Sequence, residues 1–238
     1  MDISNKQIRA RARYLLDENI FGKDWLKSVV VSLFMAAIIL ATGGVFYILS
    51  FTYIIPLMTT YLLPLSAFLY WVCVVLLVIL NCIALNIFIG PFSVSLASMH
   101  LDLERGSGKI KLSKFFDGFF PFMEDLQIGI MYMLHIILWS LLFVGPGIYV
   151  AYSYALVFHV KHDNPEFTWH QCFDESERLM EGNRMRLFKL QASFIGWTYL
   201  GLLAGFGIGC LWVEPYRNLS IAIFYEEVRA EKEDGYDY

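Results

Sequence analysis

The chain has 238 residues, 58% of them apolar and 17% aromatic against only 17% charged, with a mean hydropathy of +0.55. A soluble domain of this size carries less apolar residue than that. The net charge of -4 gives no basic excess for nucleic acid, which is not expected as a partner. One integral membrane domain over residues 1–238 is the reading that fits.

Residues 1–27 read as a cytoplasmic amphipathic stretch. Ile3 to Leu16, with Arg9, Arg11 and Arg13 near Ile8, Tyr14 and Leu15, is basic enough to sit on anionic lipid, where each cation contributes about 1 kcal/mol. No secretory signal is expected, because the polar start is followed by a hydrophobic run too long for one. From Ser28 to Leu101, 74 residues contain no Asp, Glu, Lys or Arg. A helix crosses about 30 Å of hydrocarbon in roughly 20 residues, so this run crosses more than once. Ser28 to about Ser50 goes out, the aromatic and Pro-containing stretch Phe51 to Pro64 turns at the outer interface, and Leu65 to about Ile89 returns. A kink at Gly90-Pro91 then sends Pro91 to Arg105 out of the bilayer toward the cytosol. Four crossings with breaks near Gly43-Gly44 and Gly90-Pro91 are the alternative, at the cost of a cytoplasmic turn near Pro64 that has no basic residue beside it.

Two more charge-free blocks follow, Leu126 to Val160 and Leu190 to Val213. Each reads as a hairpin: Leu126 to Val144 and Ile148 to Val160 around Gly145-Pro146-Gly147, then Leu190 to Phe206 and Cys210 to Val228 around Gly207-Ile208-Gly209. Between them, residues 161–189 form a cytoplasmic segment. There Thr168 and Gln171, at capping-box spacing, start an amphipathic helix with Trp169, Cys172, Phe173, Leu179 and Met180 on its apolar side. Seventeen of the eighteen Lys and Arg residues fall in four clusters, at 6–27, 105–114, 161–189 and 229–232. The positive-inside rule puts all four in the cytoplasm, so an even number of crossings separates each from the next. The expected fold is therefore all-α, a polytopic bundle of six transmembrane helices in three hairpins. Helices 1–4 lie in 28–160, helices 5–6 in 190–228, and a cytoplasmic tail covers 229–238.

Few residues suggest chemistry. Glu214 and Arg217 lie three apart near the start of the final helix, and a charged residue inside a membrane is a functional candidate by default. An ion pair that merely pins the helix end is the bland alternative. Asn81 and Asn86 on the second helix and His135 on the third are the other intramembrane polar side chains; interhelical hydrogen bonding explains them better than ligand binding does. Gly201, Gly205 and Gly209, at i, i+4 and i+8, form a double GxxxG stripe for close helix packing, inside the chain or in a homo-oligomer. Ala37 and Ala41 form a similar pair. The spacing of His159, His162, His170 and Cys172 matches no zinc pattern, so no metal and no cofactor are expected. The four cysteines, 73, 82, 172 and 210, read as free thiols. A nucleophile elbow, an HExxH and a P-loop are all missing, so catalytic residues are not assigned.

Three runs in order, LWSLLFVGPGIYVAYSYALVFHVKHDNP (Leu138 to Pro165), SERLMEGNRMRLFKLQASFIGW (Ser176 to Trp197) and GFGIGCLWVEPYRNLSIAIFYEEV (Gly205 to Val228), carry a family resemblance. The chain resembles a bacterial integral-membrane family known as domain of unknown function nine-seven-five. Gly90 to Gly106 and the basic N-terminus also fit. The resemblance implies a six-helix cell-membrane protein and is distantly similar to the membrane domain found before some glycerophosphodiester phosphodiesterases. It brings no assigned activity and no site residues. The function expected from the whole is a non-enzymatic platform for membrane lipid or a partner protein. A small solute carrier, or the substrate-binding subunit of a multi-component transporter, is the alternative.

Overall fold

Ser4 opens the first helix, its backbone N–H donating to Gln7 Oε1 at 2.9 Å in a capping box. This helix, α1 (Asn5–Leu15), buries Ile8, Ala12 and, just past its end, Leu16. The computed structural model describes residues 4–16, 23–62, 66–86, 89–106, 122–204 and 208–234, and among them the chain is all-α, without a strand. After α1 come α2 (Lys23–Leu49), a π-helical segment (Ser50–Ile54), α3 (Ile55–Tyr61), α4 (Ala67–Asn86), α5 (Ile89–Glu104) and α6 (Phe122–Leu142). The second half holds α7 (Val144–Ser153), α8 (Val157–Asp163), α9 (Trp169–Met180), α10 (Arg184–Ala204) and α11 (Ile208–Asp234).

The first expected turn is shorter than Phe51 to Pro64, because its stretch up to Tyr61 is helical and the chain reverses only between there and α4. Helix runs without reversal from Lys23 to Tyr61, through Gly43-Gly44 and through the aromatic stretch after Ser50. Pro56 explains the π segment: it has no N–H and its ring crowds the carbonyl four residues back, a strain that a wider turn relieves. Accordingly Ile55 N–H donates to Ser50 O, one residue beyond the α spacing. At 39 residues the helix is about 58 Å long, nearly twice a hydrocarbon core. Its first turns are spent in the protein core, where Trp25, Ser28, Val29, Val31 and Ser32 are buried. The remainder pairs with α4.

The expected extension Pro91 to Arg105 is helical as far as Glu104, within α5, with Pro91 in the first turn, where a missing N–H costs nothing. It lies in the core, with Phe92, Ser95 and Leu101 fully buried. Gly90 makes this possible, because any Cβ there would strike the Asp125 carbonyl and the Gly129 Cα of α6. The second hairpin also departs from expectation. Its return arm is two short helices, α7 and α8, broken at Tyr154 to Leu156, and α7 is only about 15 Å long. The Arg184 guanidinium lies 4.4 Å over the Tyr149 ring and its Nε donates to Ser153 Oγ at 2.8 Å. The tip of that hairpin thus stays within reach of the basic segment at the start of α10.

α9 has the expected capping box, Thr168 N–H donating to Gln171 Oε1 at 2.8 Å. It buries Cys172, Phe173, Leu179 and Met180 against α8, α6, α7 and α11, so it caps the bundle. Among the described residues, two helices are long and apolar enough to cross a membrane, Lys23–Tyr61 and Phe122–Leu142.

Candidate functional site

The described side chains that could carry function fall into two groups, a cavity under α1 and an ionic junction at the far end of α11. The cavity has a volume of about 760 Å³. Lys6, Arg9 and Arg13 border it from α1. Their spacing, i, i+3 and i+7, sets them on one helical face, beside the face that Ile8 and Ala12 bury. The opposite wall is aromatic: Trp25 from α2, Trp197 from α10, and Trp212 and Tyr216 from α11. Trp25 is held in place, donating from Nε1 to the Trp212 carbonyl at 3.0 Å and facing the Tyr216 ring at 6.2 Å between centroids. Gly201 and Gly209 also line the cavity.

These glycines correct the expected stripe. Gly201 and Gly209 do not share one helix: α10 ends at Ala204 and Gly209 opens α11, because the hairpin reverses between them. They meet across the hairpin, where a Cβ on Gly209 would stand 2.6 Å from the Gly201 Cα. The contact is internal to the chain. Gly205 lies outside the described residues.

The ionic junction joins the ends of α5, α8 and α11. Asp163 Oδ1 and Oδ2 accept a bidentate pair from Arg105 at 2.8 and 2.7 Å, Oδ2 accepts from the Tyr225 hydroxyl at 2.9 Å, and Arg229 also pairs with it. Arg105 Nε donates in addition to Glu226 at 2.7 Å. Burial alone pushes the Asp163 carboxyl up, but hydrogen bonds from Arg105 and Tyr225 and the charges of both arginines outweigh it and hold the group below its ordinary 3.8. Beside it Lys161, 3% exposed, donates to Glu124 at 2.7 Å and to the Pro165 and Phe167 carbonyls, fixing the turn before α9. This is an assembly joint. From sequence, Arg105, Lys161 and Arg229 serve only as topology markers; apart from Glu233, four positions after Arg229, their carboxylate partners lie 37 to 121 positions away.

The expected polar residues are not brought together. Glu214 and Arg217 do form an ion pair, at 2.6 Å, with side chains one-third or more exposed. Arg217 also borders a separate 480 Å³ cavity with Tyr152 and Gln191. His135 is elsewhere, packed against Tyr154, Phe173 and Trp169, with Nδ1 bonded to the Met131 carbonyl at 2.8 Å. Asn81 and Asn86 belong to the end of α4, and their side chains lie outside the described residues.

The long stretch from α6 to the end of α11 holds α9 and its cap, Asp163, the Glu214–Arg217 pair and the α10–α11 glycine contact. Residues 130–232 match the model of the family described as Protein of unknown function (DUF975). It is the family that the sequence resembles. The three cations of the cavity come from α1, outside the matched stretch, whereas its aromatic wall at Trp197, Trp212 and Tyr216 is inside it. No curated protein and no solved structure matches the chain.

Proposed function

We propose that this is a multi-pass cell-membrane protein with both termini cytoplasmic, a non-enzymatic platform that binds membrane lipid. One observation carries the reading: large apolar side chains are concentrated on the outside of one part of the molecule. Leu40 is 73% exposed, Phe68 80%, Leu141 84% and Leu203 78%, with apolar neighbours along the same helices. A monomer in water rarely shows more than a few hundred Å² of contiguous apolar surface, whereas lipid covers such a surface without penalty. The far part instead carries the ion pairs of Arg105, Arg186 and Arg229, from three of the four basic clusters that the positive-inside rule assigns to the cytoplasm.

In this reading α2 with α4, and α10 with α11, are crossing hairpins. The second hairpin, α6 with α7, starts and ends on the cytoplasmic side whether it crosses or only dips, so the parity of the termini is unchanged. The Gly201–Gly209 contact is spent inside the chain, which leaves the exposed Ala37 and Ala41 as the small pair open to a second copy. The cavity beside Arg217 favours a second reading, a small solute carrier; a metabolite copurifying with the protein and lost in Arg217→Gln would support it. Membrane fractionation tests the main reading. The chain should remain in the pellet after an alkaline carbonate wash and be released by detergent, and release by carbonate alone would contradict it.

A further inference from the structure

We propose that the cavity beneath α1 is a binding site for an anionic phospholipid, with Lys6, Arg9 and Arg13 on the phosphate and an acyl chain laid along Trp197 and Leu200. This rests on the membrane reading above and names the lipid class.

The charge argument begins with the arginines. The chain has nine, all within the described residues, and seven of them (11, 105, 178, 184, 186, 217 and 229) pair with carboxylates. The two without a carboxylate among the described residues are Arg9 and Arg13, and both border this cavity together with Lys6. Arg9 Nε spends one hydrogen bond on the Asn5 carbonyl, leaving its remaining donors for a ligand. Arg11, between them in sequence, points elsewhere and pairs with Glu104. No acidic side chain is among the described residues lining the cavity. Guanidinium groups bind phosphate through paired N–H donors, and three cations suit a phosphate better than a carboxylate.

The wall decides between a lipid and a soluble anion. A free phosphate uses the cations and nothing more, yet most of the lining is apolar or aromatic. Trp197 and Leu200 are each 59% exposed, so the cavity opens onto the apolar outer surface of α10. Indole and phenol rings settle where headgroup meets hydrocarbon, with polar edges toward the phosphate. The volume of about 760 Å³ lies in the range that takes one small ligand or the head and upper chain of a larger one.

The test uses the purified full chain in detergent, with native mass spectrometry and melting as readouts, and phosphatidylglycerol, phosphatidylcholine and inorganic phosphate as probes. Phosphatidylglycerol should bind stoichiometrically and raise the melting temperature, phosphatidylcholine should do neither, and inorganic phosphate should not compete. Arg9→Gln with Arg13→Gln should weaken lipid binding about 30-fold, at about 5-fold per cation. Arg9→Lys with Arg13→Lys should retain most of it, and Lys189→Gln, which removes one cation from exposed surface away from the cavity, should leave it unchanged, whereas Lys6→Gln, the same charge change at the cavity, should weaken it. Equal binding of the two lipids, equal binding by the Gln pair and the parent, or competition by phosphate would each overturn the proposal. Should the Gln pair not fold, the Lys pair and Lys6→Gln decide it, with weaker binding expected in Lys6→Gln alone. Failure here in a protein that stays in the membrane pellet removes the lipid site and leaves the membrane reading standing.

Discussion

The ionic junction at Asp163 and the exposed hairpin of α2 with α4 are both helical and built from one chain, but different physics holds them. At the junction three helix ends meet, and the buried Asp163 and Lys161 are paired with partly exposed opposite charges. Along the hairpin, Leu40, Tyr47, Phe68 and Leu76 face outward and few contacts reach the rest of the molecule. The first region is stabilised by packing and charge pairing inside the protein; the second depends on what surrounds it. A substitution should therefore be felt at the junction in any solvent and at the hairpin only in a bilayer.

A large effect is expected at the junction. Asp163→Ala removes the acceptor of three partners and leaves Arg105 only Glu226 and Arg229 only Glu233, costing about 2 kcal/mol, less than for a wholly buried pair because both guanidinium groups keep a partner and are more than one-third exposed. Thermal melting in detergent should show it. Next is Gly90→Val, which forces a side chain into the α6 backbone and should lower the melting temperature by the equivalent of about 2–3 kcal/mol. Leu179→Ala, at 1% exposure, should cost about 2–5 kcal/mol by loss of burial and a cavity, while Leu141→Ala, at 84%, should stay within about 0.5 kcal/mol in detergent. Equal costs for the two leucines would break the comparison.

Acid sharpens it. The Asp163 carboxyl is held below 3.8, so its contribution is complete above that pH and is lost as the pH falls through the folded value. Melting of the parent should therefore weaken in that acid range, and Asp163→Asn should lack that part of the decline. The smallest effect is expected for Glu214 and Arg217. At one-third exposure or more, their coupling in a double-mutant cycle with Gln should be about 0.2–1 kcal/mol, well short of a buried pair.

Helix content, the apolar segments and the Thr168–Gln171 cap were legible because each is written in local periodicity. The extent of the turn at Phe51 to Pro64 misled because proline and aromatic residues signal a break, whereas a π segment absorbs Pro56 and delays the reversal until after Tyr61. The burial of α5 was not legible, because an apolar helix with charges only in its last turn looks the same whether lipid or protein covers it; only Gly90 against the Asp125 carbonyl reveals the neighbour. The cavity had a readable signal. Lys6, Arg9 and Arg13 share a face that Arg11 does not, and sorting the N-terminal cations by helical angle separates the free set from the paired one. The Trp25, Trp197 and Trp212 wall had none, since it joins residues 187 positions apart.

Spin labels on single cysteines at Leu141 and Glu181, in a chain with its four native cysteines replaced and reconstituted in liposomes, test the central division of the molecule most directly. Collisional relaxation by oxygen and by a water-soluble nickel chelate reports the surroundings of each label. The account predicts that Leu141 is relaxed by oxygen and shielded from nickel, and that Glu181, on the exposed end of α9, is relaxed by nickel. Strong nickel access at both sites would contradict it.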